Sequence, residues 1–449
     1  MISRSSKATI SNTIASHNSY LTNHSYTHLK HTTSKLQTIL APYRVLKEML
    51  RCGEAVQPPH TCLFYFRSYI RLLGLWPAKR AAENQLYYFY NLLIMVLFSF
   101  FMATIICDLY EASSDFVLLG EDLVVVLGLY LIFFKMILFR MGNVDTDIII
   151  NEFDALHIKH ARELSEGPRN RRIVQWQRSF FFGEMCFFSG FYILSLLLFA
   201  AMSLQPLLSQ QTLPFRCKFP FGLNDPDEHP IAFVCVYFFQ CFCTLYMLVA
   251  IVVMDSLGGN SFNQTTLNLR ILCENIRHLG IVAAGASSST SEAVAWRELR
   301  EAVEFHQKII GLMNRINQTF YWNYVSQMGA STFMICLTAF EALLAQDKPM
   351  VAMKFQTYMF SAFMQLLYWC WMGNRTYYDS MEVATAAYEI RAWYEHSPLL
   401  QRQLMFIIKR AQKPLEFRAK PLFGFTFASF TSILSTSYSY FALLRTMSD

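Results

Sequence analysis

GEDLVVVLGLYLIFFKMILFR, residues 120–140, is the stretch that decides the fold. Its longest uncharged run, Leu123 to Phe134, is shorter than the roughly 20 apolar residues that cross about 30 Å of hydrocarbon. The segment spans a bilayer only if its flanking charges reach the two interfaces. Glu121 and Asp122 are therefore expected at the outer interface, with Lys135 snorkelling toward the inner one. This gives the span a direction, and the rest of the chain can be tested against it.

Seven such apolar segments can be drawn, at about 86–107, 116–139, 179–204, 230–254, 320–345, 350–372 and 421–445. Lys and Arg fall almost entirely in alternate gaps. The stretch before the first segment holds 11, and the gaps 140–178, 255–319 and 373–420 hold 7, 6 and 8. The opposite gaps hold none, then Arg216 and Lys218, then Lys348. Positive charge is retained on the cytoplasmic side. The expectation is an all-α membrane protein of seven transmembrane helices, with the N-terminus cytoplasmic and the C-terminus extracellular. That orientation is the reverse of a G-protein-coupled receptor. The sequons Asn23, Asn263, Asn317 and Asn374 all fall on the predicted inner side, where glycosylation does not reach.

Composition agrees. The 449 residues are 54% hydrophobic and 16% charged, against about a quarter charged in soluble domains. Mean hydropathy is +0.27. The net charge of +6 sits mainly in the inner gaps, so it reads as topology and not as nucleic-acid binding. The 11 Cys lack metal-ligand spacing, and Cys217 is the best placed for an extracellular disulfide. No His-Glu-x-x-His, Gly-x-Ser-x-Gly or phosphate-cradling Gly-rich loop occurs, so neither an enzyme nor a cofactor is expected.

Five regions follow. Residues 1–60 read as a disordered extension; the first 47 are rich in Ser, Thr, Asn and His, and their composition also resembles a transit peptide, which fits poorly with a polytopic body. Residues 61–85 contain CLFYFRSYIRLLGLW (62–76), an amphipathic stretch expected to lie at the inner interface and stop at Trp76-Pro77. Residues 86–372 carry spans 1–6. Residues 373–420 form a cytoplasmic helical anchor, broken at Ser397-Pro398, and 421–449 form span 7. Helical periodicity through Asn260–Leu279, Trp296–Ile316 and 377–412 extends spans 4, 5 and 6 into the cytoplasm, as does the start of span 7. Those amphipathic extensions would need partners to bury their apolar faces, which points to a helical domain shared between subunits.

The last 70 residues resemble the insect odorant receptors. The resemblance rests on Ser380, Ala386, Ala387, Tyr388 and Trp393, then Arg402, Arg410, Gln412, Pro414 and Ala419. It continues through Phe430-Thr431-Ser432-Ile433-Leu434, Ser437-Tyr438-Ser439-Tyr440-Phe441 and Leu443-Leu444-Arg445. FYFRSYIRLLGLWP and Met254-Asp255-Ser256-Leu257 extend it upstream. Tyr440 is followed by FALLRTM, without the Gln-Phe of the related gustatory receptors, and the inner loop before span 5 is shorter than in the family's coreceptor. The resemblance implies a ligand-tuning subunit of an odorant-gated, nonselective cation channel. That channel would be a tetramer made with the coreceptor, with the last helix of each subunit lining one pore. It also implies residence in the plasma membrane of olfactory neuron dendrites.

Site expectations follow from that implication. A small volatile ligand needs an apolar, aromatic pocket with few polar groups, sought in the outer half of the bundle among spans 2, 3, 4 and 6. Stripes at helical spacing supply candidates: Val124 and Leu127; Phe188, Tyr192, Ser195 and Phe199; Phe233, Tyr237 and Cys241; Tyr358, Ser361 and Met364. Such stripes also serve plain packing. Span 7 is rich in hydroxyls, which suits either close helix packing or a wet pore wall. Tyr440, Leu443 and Thr446 share one face, and aligning Tyr440-Phe441 with the family puts its gate at Leu443. A ring of Leu443 side chains would close by dewetting; the other reading is that Leu443 faces lipid. Glu184 and Glu341 read as interfacial. A metabotropic receptor is disfavoured by orientation and by the lack of Asp-Arg-Tyr and Asn-Pro-x-x-Tyr. A transporter is disfavoured by the lack of repeated, broken spans.

Overall fold

The computed structural model describes residues 40–51, 58–75, 81–111, 116–162, 168–208, 213–279, 288–345, 349–391, 393–419 and 421–448. Met1–Val56 and Gln57–Asp449 are separate compact units. The first contributes one helix, α1 (Ala41–Arg51), inside a stretch read from composition as unstructured. Residues 1–39 of that stretch and the Trp76-Pro77 stop lie outside the described residues.

The second unit is helical. Its elements are α2 (Cys62–Leu72), α3 (Ala81–Glu111), α4 (Phe116–Met141), α5 (Asn143–Arg162), α6 (Pro168–Leu208) and α7 (Pro230–Arg277). There follow α8 (Ser288–Thr319), α9 (Tyr321–Leu344), α10 (Pro349–Tyr388), α11 (Pro398–Ala411) and α12 (Phe427–Ser448). The seven spans of the sequence reading are α3, α4, α6, α7, α9, α10 and α12. Five of these are long and apolar enough to cross a membrane on composition alone. α10 and α12 are long enough, and their Ser, Thr, Tyr and Gln content lowers their hydropathy.

α7 is the axis of the fold. Below Ile251 nearly every residue to Ile276 is buried, although the run DSLGGNSFNQTTLN is polar. Burial is tolerable because most of the polar groups are paired, the Asn260 amide nitrogen and the Asn263 side-chain oxygen being exceptions. Thr265 donates to the Ser261 carbonyl, Asn268 to the Gln264 carbonyl, and Thr266 pairs with Thr376 of α10. Gly258 and Gly259 let α10 come close. A Cβ at these positions would lie 2.2 Å from Trp369 and 2.0 Å from the Tyr368 hydroxyl. Arg270 to Asp379 and Arg277 to Glu382 and Glu389 pin the two extensions together at 2.5–2.7 Å. The α7 extension therefore finds partners on α10 within its own chain.

Span 7 begins later than expected. Two short strands pair antiparallel, β1 (Arg418–Ala419) with β2 (Phe423–Gly424), and α12 starts only at Phe427. The strand pair seats Phe417 on Phe262 of α7, with ring centroids 3.6 Å apart and planes within 5°. Phe425 packs on Tyr324 and Trp369 beside it. Two sequon asparagines hold this corner. Asn317 donates to the Glu416 carbonyl and accepts from the Arg418 amide, and Asn374 accepts from the Phe427 amide. Asn263 is buried against Glu184. The three described sequons are thus structural.

α2 does not simply lie on an interface. Thr61 caps it, accepting from the Phe64 amide, and Cys62, Leu63, Tyr65, Phe66, Arg67 and Ile70 are buried. Arg67 reaches Asp147 and Asn151 of α5 at 2.8 and 2.7 Å. Left-handed Gly74 turns the chain out of the helix.

Candidate functional site

Between α4, α6, α7, α9 and α10 lies a cavity of about 250 Å³. Its walls are mostly aliphatic, with Val124, Leu131, Met247 and Ile251 facing Phe191, Phe215 and Tyr358. Its hydroxyl-bearing residues are Ser195, Thr244, Ser331, Ser361 and Tyr358, and its floor carries Asp255 and Gln365.

Sequence spacing found part of this. Val124, Ser195, Tyr358 and Ser361 line the cavity. Leu127 stands half-buried off the wall. Phe188 is buried against Phe66 and Tyr69 of α2, and Tyr192 stacks on Phe188. Phe199 and Phe233 are half-buried outside the cavity, and Met364 is exposed. Tyr237 donates to the Ser203 carbonyl at 2.6 Å, and Cys241 lies 3.7 Å from the Ser203 hydroxyl. On α7 the lining starts about two turns deeper than Tyr237. The stripe readings missed α9 altogether, which supplies Ala330, Ser331 and Met334.

The floor is the largest departure from expectation. Lys135 does not snorkel: it is 2% exposed and sits 2.6 Å from Asp255, itself 5% exposed. Lys135 also donates to Gln327 of α9 and lies 5.9 Å from the Trp369 ring centroid. Gln365 donates to the second Asp255 oxygen, and Gln327 donates to Ser331 at 3.1 Å. One buried ion pair thus ties α4, α7, α9 and α10 together. Lys135 inside predicted span 2 and Asp255 at the very end of span 4, with Gln327 and Gln365 in neighbouring spans, were the signal that could have found it.

Other charges are also buried within the fold. Glu184 is buried and accepts from Asn263 and Gln264. Glu341 is buried against Gly120, and Asp122 is buried as well. Cys217 is a free, buried thiol. Burial first, and then the Asp108 carboxylate, push that thiol up to about 12, while Gln240 donates to its sulfur at 2.8 Å. Among the described residues no His, Cys, Asp and Glu group could hold a metal.

α9 separates the cavity from α12. Its Ser331 and Met334 face the cavity, while its Thr332 carbonyl accepts from Ser437 at 3.2 Å and Phe333 stacks on Tyr440. Tyr440, Leu443 and Thr446 are exposed in the single chain, and Thr446 donates to the Leu443 carbonyl. Among the described α12 hydroxyls only Ser437 is buried; Thr431, Thr436 and Ser439 bond back to their own helix.

The family profile described as 7tm Odorant receptor matches residues 115–438. The chain belongs to the insect odorant receptors. Odorant receptor 47b of Drosophila melanogaster is 34% identical over 86% of this chain and 92% of its own. Odorant receptor 65a of the same species is 28% identical over 86% and 90%. The solved olfactory receptor OR5 of Machilis hrabei, in complex with eugenol, superposes with a TM-score of 0.70 at 15% identity, covering 86% of this chain and 97% of that one. The likeness to named odorant receptors agrees with a receptor that is not the coreceptor. As an odorant receptor the chain is an all-α, seven-span, multi-pass membrane protein serving olfaction.

Proposed function

We propose that this odorant receptor is the ligand-binding subunit of an odorant-gated, nonselective cation channel. It assembles with the odorant receptor coreceptor as a tetramer in olfactory neuron dendrites, and a small volatile molecule binds in the α4–α6–α7–α9–α10 cavity. One observation carries the reading: a mostly apolar cavity stands one helix away from α12. An apolar pocket with a few convergent polar groups suits a small organic ligand. The eugenol held by the Machilis receptor is a ligand of that kind.

The assembly has support from surface chemistry. Trp371, Tyr378, Met381 and Tyr388 on α10, with Met405 and Phe406 on α11, are exposed in the single chain. Apolar side chains of that size on cytoplasmic elements mark protein contacts. α12 shows the same one-sidedness. Its Tyr440, Leu443 and Thr446 face is the proposed pore wall, with Leu443 as the constriction. The test is whole-cell recording from cells expressing this chain with the coreceptor during an odorant panel. Odorant-evoked cation current that requires both chains supports the proposal. A response that persists with G-protein signalling intact and no channel current would favour a metabotropic receptor instead.

A further inference from the structure

The polar floor is out of keeping with a pocket that only needs to hold an oily molecule. Burying a Lys–Asp pair is repaid only by good geometry and full hydrogen bonding, and aliphatic residues of similar volume are often as stable. Of the pair, Asp255 faces the cavity and Lys135 does not line it. Lys135 spends its donors behind the wall, on Asp255 and Gln327, with Trp369 alongside. A carboxylate has about four acceptor sites. Lys135 takes one on Oδ1 and Gln365 takes one on Oδ2. Ser331 accepts from Gln327, which leaves its own hydroxyl proton to donate. A ligand reaching the floor therefore meets an anionic acceptor beside a hydroxyl donor, with the anion's charge neutralised from behind.

We propose that Asp255, Gln365 and Ser331 form a head-group subsite for an uncharged amphiphile, an aliphatic alcohol in class. Its hydroxyl donates to Asp255 and accepts from Ser331, and its alkyl tail lies toward Val124 and Phe215. This rests on the cavity being the ligand site. An alcohol has both functions the floor complements. An ester or ketone of equal length accepts only, so it forfeits the Asp255 bond. A carboxylic acid is ionised at neutral pH and accepts only, so it sets its charge against the Asp255 carboxylate. One charge-assisted hydrogen bond corresponds to roughly a tenfold to hundredfold difference in potency.

The probes are straight-chain 1-alcohols of graded length with the matching carboxylates and methyl esters, recorded on the receptor co-expressed with the coreceptor. Wild type should answer alcohols at tenfold or more lower concentration than the carboxylate or ester of equal length. The exchange Lys135→Asp with Asp255→Lys keeps the ion pair and turns the ammonium toward the cavity. It should raise the alcohol threshold tenfold or more and make carboxylates agonists. Where the exchanged receptor fails to reach the surface, Gln365→Leu should alter the alcohol-over-ester ranking, because it changes the Asp255 carboxylate that only the alcohol uses, whereas Ser331→Ala should weaken alcohol and ester alike. Equal potency of the three head groups on wild type, no response to any alcohol, or a ranking untouched by the exchange or by Gln365→Leu would overturn the subsite. A cavity-filling Ser195→Trp separates this from the broader reading. If it silences every agonist while the head-group ranking resists all floor variants, the cavity stands and the subsite falls.

Discussion

Lys135→Met isolates the energetics of the buried pair. The change keeps side-chain volume and removes the charge. It leaves Asp255, 5% exposed, with the Gln365 amide still donating to it, and it strips Gln327 of its charged partner. Removing one member of a buried pair costs about 3–5 kcal/mol, because the other charge stays buried and uncompensated. Whole domains are stable by only about 5–15 kcal/mol. A fall in melting temperature of about 3–5 °C is therefore expected, with reduced surface delivery. The second variant is Lys135→Met with Asp255→Leu, which removes both charges. It should recover most of the loss, giving a coupling of about 2 kcal/mol or more in the double-mutant cycle. The assay is thermal unfolding of detergent-solubilised receptor, followed by fluorescence-detected gel filtration, beside surface labelling. If Lys135→Met melts with wild type, or if the double variant melts no higher than the single one, the pair is not the buried, mutually dependent unit described.

Gly259→Ala would place a methyl 2.0 Å from the Tyr368 hydroxyl, and Gly258→Ala one 2.2 Å from Trp369; overpacking at each should cost about 1–3 kcal/mol in the same unfolding assay, while Gly183→Ala, with open space around it, should cost no more than a few tenths. Leu443→Gln should raise resting current or alter ion permeability in the assembled channel, because a polar ring holds water; unchanged leak and selectivity at normal surface level would remove Leu443 from the pore. His306 on α8 is held neutral by burial, aided by nearby Arg410, with its pKa pushed down to about 4. An unfolded histidine titrates near 6.5, so the unfolded state takes up the proton first as pH falls. Stability should thus be full above about 6.5 and be lost progressively toward about 4, by up to roughly 3 kcal/mol; His306→Gln should flatten that part of the melting profile, and an unaltered pH slope would argue against a buried neutral imidazole.

Topology was legible because it depends on residues that can be counted. Lys and Arg mark the inner gaps whatever the helices do with their faces. The family was legible in Ser437–Phe441, where the residues themselves are unusual for a span. Helical spacing, by contrast, gives the members of a stripe and not the direction it faces. On α6 the stripe Phe188–Tyr192–Ser195 was a real face, yet α2 claims its aromatic end, and the cavity takes Phe191, Leu194, Ser195 and Leu198 instead. On α10 Tyr358 and Ser361 turned inward while Met364, three residues on, did not. Lys135 misled for a different reason. A cation near a span end normally snorkels, and only a tertiary partner, Asp255 120 residues away, holds it inside. The α7 extension shows the same dependence on tertiary partners: its apolar face called for them, and sequence cannot say whether they belong to the same chain. The strands β1 and β2 are too short to leave a strand pattern.

The central claim is that occupancy of this one cavity opens the channel. The most direct measurement is the concentration–response curve of the receptor with its coreceptor, for an agonist found by screening, in wild type, Tyr358→Ala and Ser195→Trp. Tyr358 lines the cavity wall and Ser195 is 8% exposed beside Phe191. An indole at position 195 should fill the space and abolish the odorant-evoked current, leaving surface level and resting current as in wild type. Loss of one aromatic wall at Tyr358 should shift the midpoint by several-fold or more. Wild-type midpoints in both variants, at equal surface expression, would contradict the account.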